Sequence, residues 1–140
     1  MAMGAWGANM VAKFLTNQST TGWPPTGNQM WLALCTSAPD SSMTGTTLDA
    51  IEPTAASYAR VSIPISGNWS TPSSGITQYN GTVNLSPSEN WGLVTHWALC
   101  TTQTAGEMVV FGTLTSAINI LAAGSALTQI PPGYIRLIVG

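Results

Sequence analysis

The residues that could perform acid–base chemistry in this chain of 140 residues are one histidine and five carboxylates. General acid–base catalysis needs titratable groups that converge on a substrate. His96 is the one candidate base, and its place between Thr95 and Trp97 in an apolar run favours a hydrogen-bonded structural histidine. The spacing permits a triad of His96 with a distant serine and Asp49, but no G-x-S-x-G motif occurs. We therefore predict a protein that has no catalytic residues.

The two cysteines, Cys35 and Cys100, are the remaining candidates for metal or redox chemistry. With a single histidine and a wide separation, they match no zinc-ligand spacing, and no carboxylate-rich loop resembles a calcium site. No glycine-rich phosphate-binding motif is present either, so we expect neither a metal nor a cofactor. Each cysteine lies in an apolar run, which favours buried free thiols. The alternative of a disulfide between Cys35 and Cys100 remains open if their two strands are neighbours.

Charge is scarce, because three Lys or Arg and five Asp or Glu make up 6% of the chain, against about 25% in ordinary soluble domains. Lys13, Arg60 and Arg136 are too few cations for a set of phosphate contacts or a polybasic membrane patch. No apolar run approaches the roughly 18–20 residues of a spanning helix. Hydrophobic residues make up 44% of the chain, which argues against disorder. We expect a folded, soluble protein that binds neither nucleic acid nor membrane.

The elements that position these residues are predicted to be one helix and a set of strands. Apolar residues recur at helical spacing from Trp6 to Leu15 and predict a short helix over about residues 5–16. The rest alternates apolar runs with Gly, Pro, Ser and Asn clusters, as in an all-β sandwich or barrel. We predict strands at 29–37, 57–66, 76–85, 93–101, 108–115, 117–121 and 134–139, with a shorter candidate at 126–130.

Local signals refine this pattern. Asn80-Gly81 indicates a hairpin turn within 76–85, since both central positions of a type I′ turn need positive φ. Pro64 indicates an edge strand or a bulge, because proline cannot donate to a ladder. Residues 38–56 lack apolar periodicity and hold Asp40, Asp49 and Glu52, which predicts a long exposed loop that carries much of the charge. Gly112 has no side chain, so we expect it to let the backbone of its strand lie close to a bulky ring.

The tryptophans are candidates for packing or for contact with a partner. Trp31 and Trp97 lie in predicted strands and are expected in the core. Trp23, Trp69 and Trp91 lie beside Pro, Gly or Asn in predicted turns, where a ring can either cap the core or stack on a sugar or another subunit.

Too few charges remain to cover the surface or to protect sheet edges in the way that soluble monomers do. A permanent assembly that buries neutral surface removes this need, because obligate interfaces are large and hydrophobic. We therefore expect an oligomer.

Five stretches together resemble a family of small virion proteins of tailed bacteriophages, described as tail fibre or as capsid decoration (cement) proteins. Their order and spacing extend over nearly the whole chain. They are the N-terminal helix with MWLALCTSAP at 30–39, SYARVSI at 57–63, WGLVTHWAL at 91–99, VVFGTLT at 109–115 and IPPGYIRLIV at 130–139. The resemblance implies a structural role without catalytic residues.

Taken together, the sequence predicts a single all-β domain, an antiparallel sandwich of jelly-roll type, with an N-terminal helix or arm at 1–17 and the sandwich at 29–140. The function that we predict first is a trimeric capsid decoration protein, made in the host cytoplasm, that binds the major capsid protein on the phage head. The assembly interface is expected at Trp6, Met10, Phe14 and Arg60.

Two alternatives stay open. One is a tail-fibre or tail-tip component in which Trp23, Trp69 or Trp91 contacts a host surface glycan. The other is a carbohydrate-binding module of a secreted protein, against which the missing signal-like segment argues.

Overall fold

The computed structural model describes residues 3–16, 29–65, 67–122 and 128–138. This part of the chain is mostly β with one N-terminal helix, which confirms the predicted class. No described helix has the length and apolar character that crossing a membrane requires. The elements are α1 (Ala5–Leu15), β1 (Gln29–Cys35), a 3-10 helix (Thr47–Ala50), β2 (Val61–Pro64), β3 (Ile76–Gln78), β4 (Val83–Leu85), β5 (Gly92–Cys100), β6 (Met108–Ile120), β7 (Thr128–Ile130) and β8 (Arg136–Ile138).

A four-stranded antiparallel sheet in the order β2-β1-β5-β6 forms the centre of the molecule. Two further antiparallel pairs, β3-β8 and β4-β7, form small sheets of their own. Pro64 ends the edge strand β2, as its missing donor predicts. The described strands do not show the jelly-roll topology that the sequence suggested, because a jelly roll pairs two large sheets.

Both faces of the central sheet are covered. On one face, long side chains such as Leu32, Trp97 and Leu99 build the main core with residues of the two small sheets. The opposite face carries only small side chains at its centre, and Leu48 of the 3-10 helix packs there. Small side chains allow this close approach; they are Ala33, Cys35, Ala98 and Cys100.

The segment 38–56, predicted as an exposed loop, covers this second face of the central sheet. It is exposed at Asp40 and Asp49, but Leu48 and Glu52 are buried. Backbone hydrogen bonds fix it to the sheet: Thr36 N donates to Ile51 O at 2.8 Å and Gly45 N donates to Gly106 O at 2.9 Å.

Two local predictions were wrong. Residues 76–85 do not form a hairpin, because β3 pairs with β8 and β4 pairs with β7. Gly81 does not adopt positive φ, and it packs against the ring of Tyr79, whose Cζ would lie 2.6 Å from an added Cβ. The strands predicted at 108–115 and 117–121 are one strand, β6, whose pairing with β5 shifts register between Val94 and His96.

The two cysteines lie on neighbouring strands as free thiols. Cys35 pairs with His96 in the β1-β5 register, and Cys100 pairs with Trp31. The offset of four positions is roughly 13 Å of strand, which is too far for a disulfide.

Candidate functional site

The helix α1 reaches the sheet through two glycines. A Cβ added at Gly4 would overlap the carbonyl oxygen of Met108, and one added at Gly7 would overlap that of Val109. Gly4 N donates to Val109 O at 3.0 Å, and Met3 bridges to Val110. The helix backbone therefore lies directly on β6.

An apolar groove of about 500 Å³ lies beside this contact. Three methionines line it, and their flexible side chains adapt to irregular partners. We call this the α1 groove; its lining includes Met3, Met10, Val11, Met30, Trp69, Pro72, Leu99, Val109, Val110 and Leu137.

Apolar surface continues from the α1 groove along the helix. Val11, at the groove, is 38% exposed, and Leu15 is 76% exposed. Residues four positions apart lie on the same side of a helix, so Leu15 extends the apolar surface by one turn. No charged residue is found among the described residues that line the groove.

The predicted interface residues have different surroundings. Met10 is buried and lines the α1 groove, whereas Trp6 is half-buried against the main core. Phe14 belongs to α1, but its side chain lies outside the described part of the structure. The helix thus presents Val11 and Leu15 outward and holds Met10 against its own sheet.

Arg60, predicted at an assembly interface, is only 4% exposed, and its guanidinium bonds to groups of its own chain. Its Nε donates to Glu52 Oε1 at 2.9 Å and its Nη2 donates to Glu52 Oε2 at 2.7 Å. Nη2 also donates to Gly45 O at 2.5 Å and to Asp49 Oδ1 at 3.3 Å. Nη1 donates to Ala105 O at 3.0 Å. One side chain thus joins the 38–56 segment to the β5–β6 loop.

Tyr58 completes this buried cluster. Its hydroxyl donates to Glu52 Oε1 at 2.6 Å and accepts from Leu34 N at 3.0 Å. Burial opposes the ionisation of Glu52, yet hydrogen bonds from Arg60 and Tyr58 and the guanidinium charge hold its pKa below the ordinary value of 4.5. Burial and the Glu52 carboxylate raise the pKa of Tyr58. The cluster bonds to the backbone of Leu34, Gly45 and Ala105, so it is a structural pin.

Sequence reasoning placed Arg60 at an assembly interface and did not identify Glu52 or Tyr58 as its partners. The signal was present in the residue types. An arginine inside an apolar strand is almost never fully buried without a partner, and Glu52 lies eight positions away in a chain with only five acids.

The candidate surface tryptophans also differ in their surroundings. Trp91 is not a surface contact, because it is only 7% exposed; its Nε1 donates to Ser57 Oγ at 2.9 Å, and its ring meets Tyr58 edge-on at 5.1 Å. Trp69 is half-buried, lines the α1 groove and donates from Nε1 to Pro64 O at 3.1 Å. Trp23 lies outside the described residues.

The remaining chemical candidates do not converge. His96 Nδ1 is 2.7 Å from the hydroxyl oxygen of its neighbour Thr95. Burial raises the pKa of both the Cys35 and the Cys100 thiol to about 12, which leaves them unreactive at neutral pH. Within the described ranges, no three His, Cys, Asp or Glu residues are grouped to hold a metal ion.

With this geometry established, comparison with protein families is decisive. A family model described as Podophage GP4 fiber I protein gp80 matches residues 3–137. The chain belongs to this family. As a gp80 family member it is a structural, non-enzymatic fibre protein of the phage virion and a component of the tail fibre. A comparison with curated proteins found no match.

Membership in the gp80 family confirms the resemblance to small phage virion proteins. It also corrects the order of the two functions: the capsid decoration role, predicted first, is not supported, whereas the tail-fibre alternative is.

Proposed function

We propose that this chain is a fibre subunit that assembles with copies of itself through the α1 groove and the exposed helix residues beside it. The observation that carries the proposal is an apolar groove with exposed Val11 and Leu15 at its side, in a chain with 6% charged residues. Burying such a surface removes apolar area from water, at roughly 25 cal/mol per Å².

A second copy is the occupant that fits best, because one surface offers both halves of a contact. The groove is a cavity, and Leu15 is a protruding apolar side chain one helical turn beyond its wall residue Val11. When Leu15 of one copy enters the groove of the next, the contact is head-to-tail, and such contacts form a ring when the rotation between copies closes and an open filament when it does not. We propose a ring of three copies.

The test is the oligomeric state of the full chain by native mass spectrometry and light scattering at micromolar concentration. We expect Leu15→Asp to yield monomer, because a carboxylate cannot be buried in the groove without a partner. Leu121→Asp is the matched control, since Leu121 is 52% exposed and outside the groove.

Circular dichroism of both variants shows whether the fold is retained. A wild-type chain that remains monomeric, or a folded Leu15→Asp variant that keeps the wild-type oligomer, would show the proposal to be wrong.

The tail-fibre alternative assigned a host-glycan contact to three tryptophans. Trp91 is buried, and Trp69 lies in the groove that we assign to a second copy. Trp23 lies outside the described residues, so a contact through Trp23 stays a prediction.

A further inference from the structure

Asn80-Gly81, the dipeptide that predicted a hairpin turn, lies instead in the short connection between β3 and β4. Because β3 ends at Gln78 and β4 begins at Val83, neither residue belongs to a strand. Asn80 is exposed, and its own N–H donates to Asn68 O at 2.6 Å. In the described part of the chain no hydrogen bond uses the N–H of Gly81. A reaction at this nitrogen therefore breaks no backbone hydrogen bond.

The side-chain amide of Asn80 is held as an acceptor. Its Oδ1 receives a hydrogen bond from Gln78 Nε2 at 2.9 Å. A donor at a carbonyl oxygen stabilises the negative charge that develops there when a nucleophile adds to the carbon. Gly81 has no side chain to obstruct the approach of its own nitrogen. An activated carbonyl carbon and an unpaired backbone nitrogen thus belong to adjacent residues.

We propose that Asn80 is a self-modifying site, at which the backbone nitrogen of Gly81 displaces the side-chain amide nitrogen as ammonia. A bond forms between Gly81 N and Asn80 Cγ, the Cγ–Nδ2 bond breaks, and the proton of the Gly81 N–H leaves with the ammonia. The product is a cyclic succinimide, which water then opens. Cleavage of the bond between Cγ and the nitrogen gives aspartate, and cleavage at the backbone carbonyl carbon gives isoaspartate. Nothing is oxidised or reduced, and water is the co-reactant.

Asn84 provides a comparison within the same chain. It is also exposed, and its Oδ1 accepts a hydrogen bond from Gln129 Nε2 at 3.0 Å. The following residue differs, because Leu85 belongs to β4, carries a bulky side chain and is only 1% exposed. Attack by the nitrogen of Leu85 would require β4 to separate from β7, whereas Gly81 lies outside the strands. The fold therefore favours reaction at Asn80 over reaction at Asn84.

The reaction changes the charge of this surface. No charged residue occurs in the stretch 61–88, so the new carboxylate is the first charge there. Because the chain supplies both reacting groups, the change needs no enzyme and accumulates with the age of the protein. The inference goes beyond the proposed self-assembly, since Asn80 is not among the described residues that line the α1 groove.

The experiment incubates the full-length, folded protein at mildly alkaline pH and follows each asparagine by peptide mapping with mass spectrometry. Asn80 should convert at least roughly tenfold faster than Asn84, because reaction at Asn84 must first break strand pairing and expose Leu85. An isoaspartyl methyltransferase should label the product at the same position. The rate should rise with pH, because the attacking nitrogen must lose its proton. Asn80→Gln should abolish the conversion, since its longer side chain does not form the succinimide.

Gln78→Met tests the hydrogen bond, because it keeps the length of the side chain and removes the donor. We expect it to slow the conversion of Asn80 by roughly threefold to tenfold, the size of one neutral hydrogen bond. Gln129→Met is the matched control and should leave the rate at Asn80 unchanged. Circular dichroism shows whether each variant is folded.

Three results would overturn the inference. The first is a rate at Asn80 that does not exceed the rate at Asn84. The second is an unchanged rate in folded Gln78→Met, which would remove the activating role of the hydrogen bond. The third is conversion that appears in urea and not in the folded protein, which would assign the reaction to the unfolded chain.

Discussion

Arg60 and Glu52 form the contact that joins segment 38–56 to the β5–β6 loop, since Arg60 bonds to Glu52, Gly45 O and Ala105 O. Removing one partner of a buried ion pair leaves an uncompensated charge, which lowers the free energy of unfolding by about 3–5 kcal/mol. Glu52→Gln should therefore lower the free energy of unfolding by that amount in urea denaturation. Asp49→Asn is the control, because the Asp49 side chain is 71% exposed and such pairs contribute about 0–1 kcal/mol. Equal losses in both variants would show that the buried pair is not the pin.

The same carboxyl makes stability depend on pH. The pKa of Glu52 is lower in the folded protein than its ordinary 4.5. Its contribution is thus complete above that value and is lost as the pH falls through the lower, folded pKa. Urea denaturation between neutral pH and about pH 3 should show a decline in acid that Glu52→Gln reduces. An unchanged acid profile in the variant would assign the decline to another carboxyl.

At the scale of elements, the docking of α1 depends on the missing side chain of Gly7. Intrinsic propensity favours alanine over glycine in a helix by about 1 kcal/mol, but a Cβ here would overlap the backbone of Val109. We expect Gly7→Ala to destabilise the protein by about 1–3 kcal/mol and to speed hydrogen exchange of the α1 amides. Ala8→Leu, on the exposed side of α1, should do neither. A more stable Gly7→Ala variant would contradict this packing.

The elements themselves follow from residue patterns, whereas their partners do not. The period of Trp6, Met10 and Leu15 predicted α1, and the apolar run around Trp97 predicted β5. Asn80-Gly81 is a strong local signal for a hairpin, yet β3 and β4 each pair with a strand more than 40 positions away. Non-local pairing is decided by burial on the completed sheet, which a local turn signal does not report.

For the candidate site, the sequence led to an assembly surface at Trp6, Met10 and Phe14, which stays a prediction, whereas the exposed apolar residues of α1 are Val11 and Leu15. The residue types were enough to suggest Glu52 as a partner of Arg60. The burial of this pair was not predictable, because segment 38–56 has no apolar period to place Leu48 against the sheet.

For the whole molecule, the scarcity of charge leads to a prediction about salt. None of the described residues that line the α1 groove is charged, and screening acts only on charges, with a Debye length of about 10 Å at 0.1 M and about 3 Å at 1 M. The oligomer that we propose should therefore not dissociate as sodium chloride rises from about 0.1 M to about 1 M. Analytical ultracentrifugation over this range measures the distribution of species. Dissociation of the oligomer in high salt would show that ion pairs hold the subunits together, and the few charges of the chain would then have to lie at the interface.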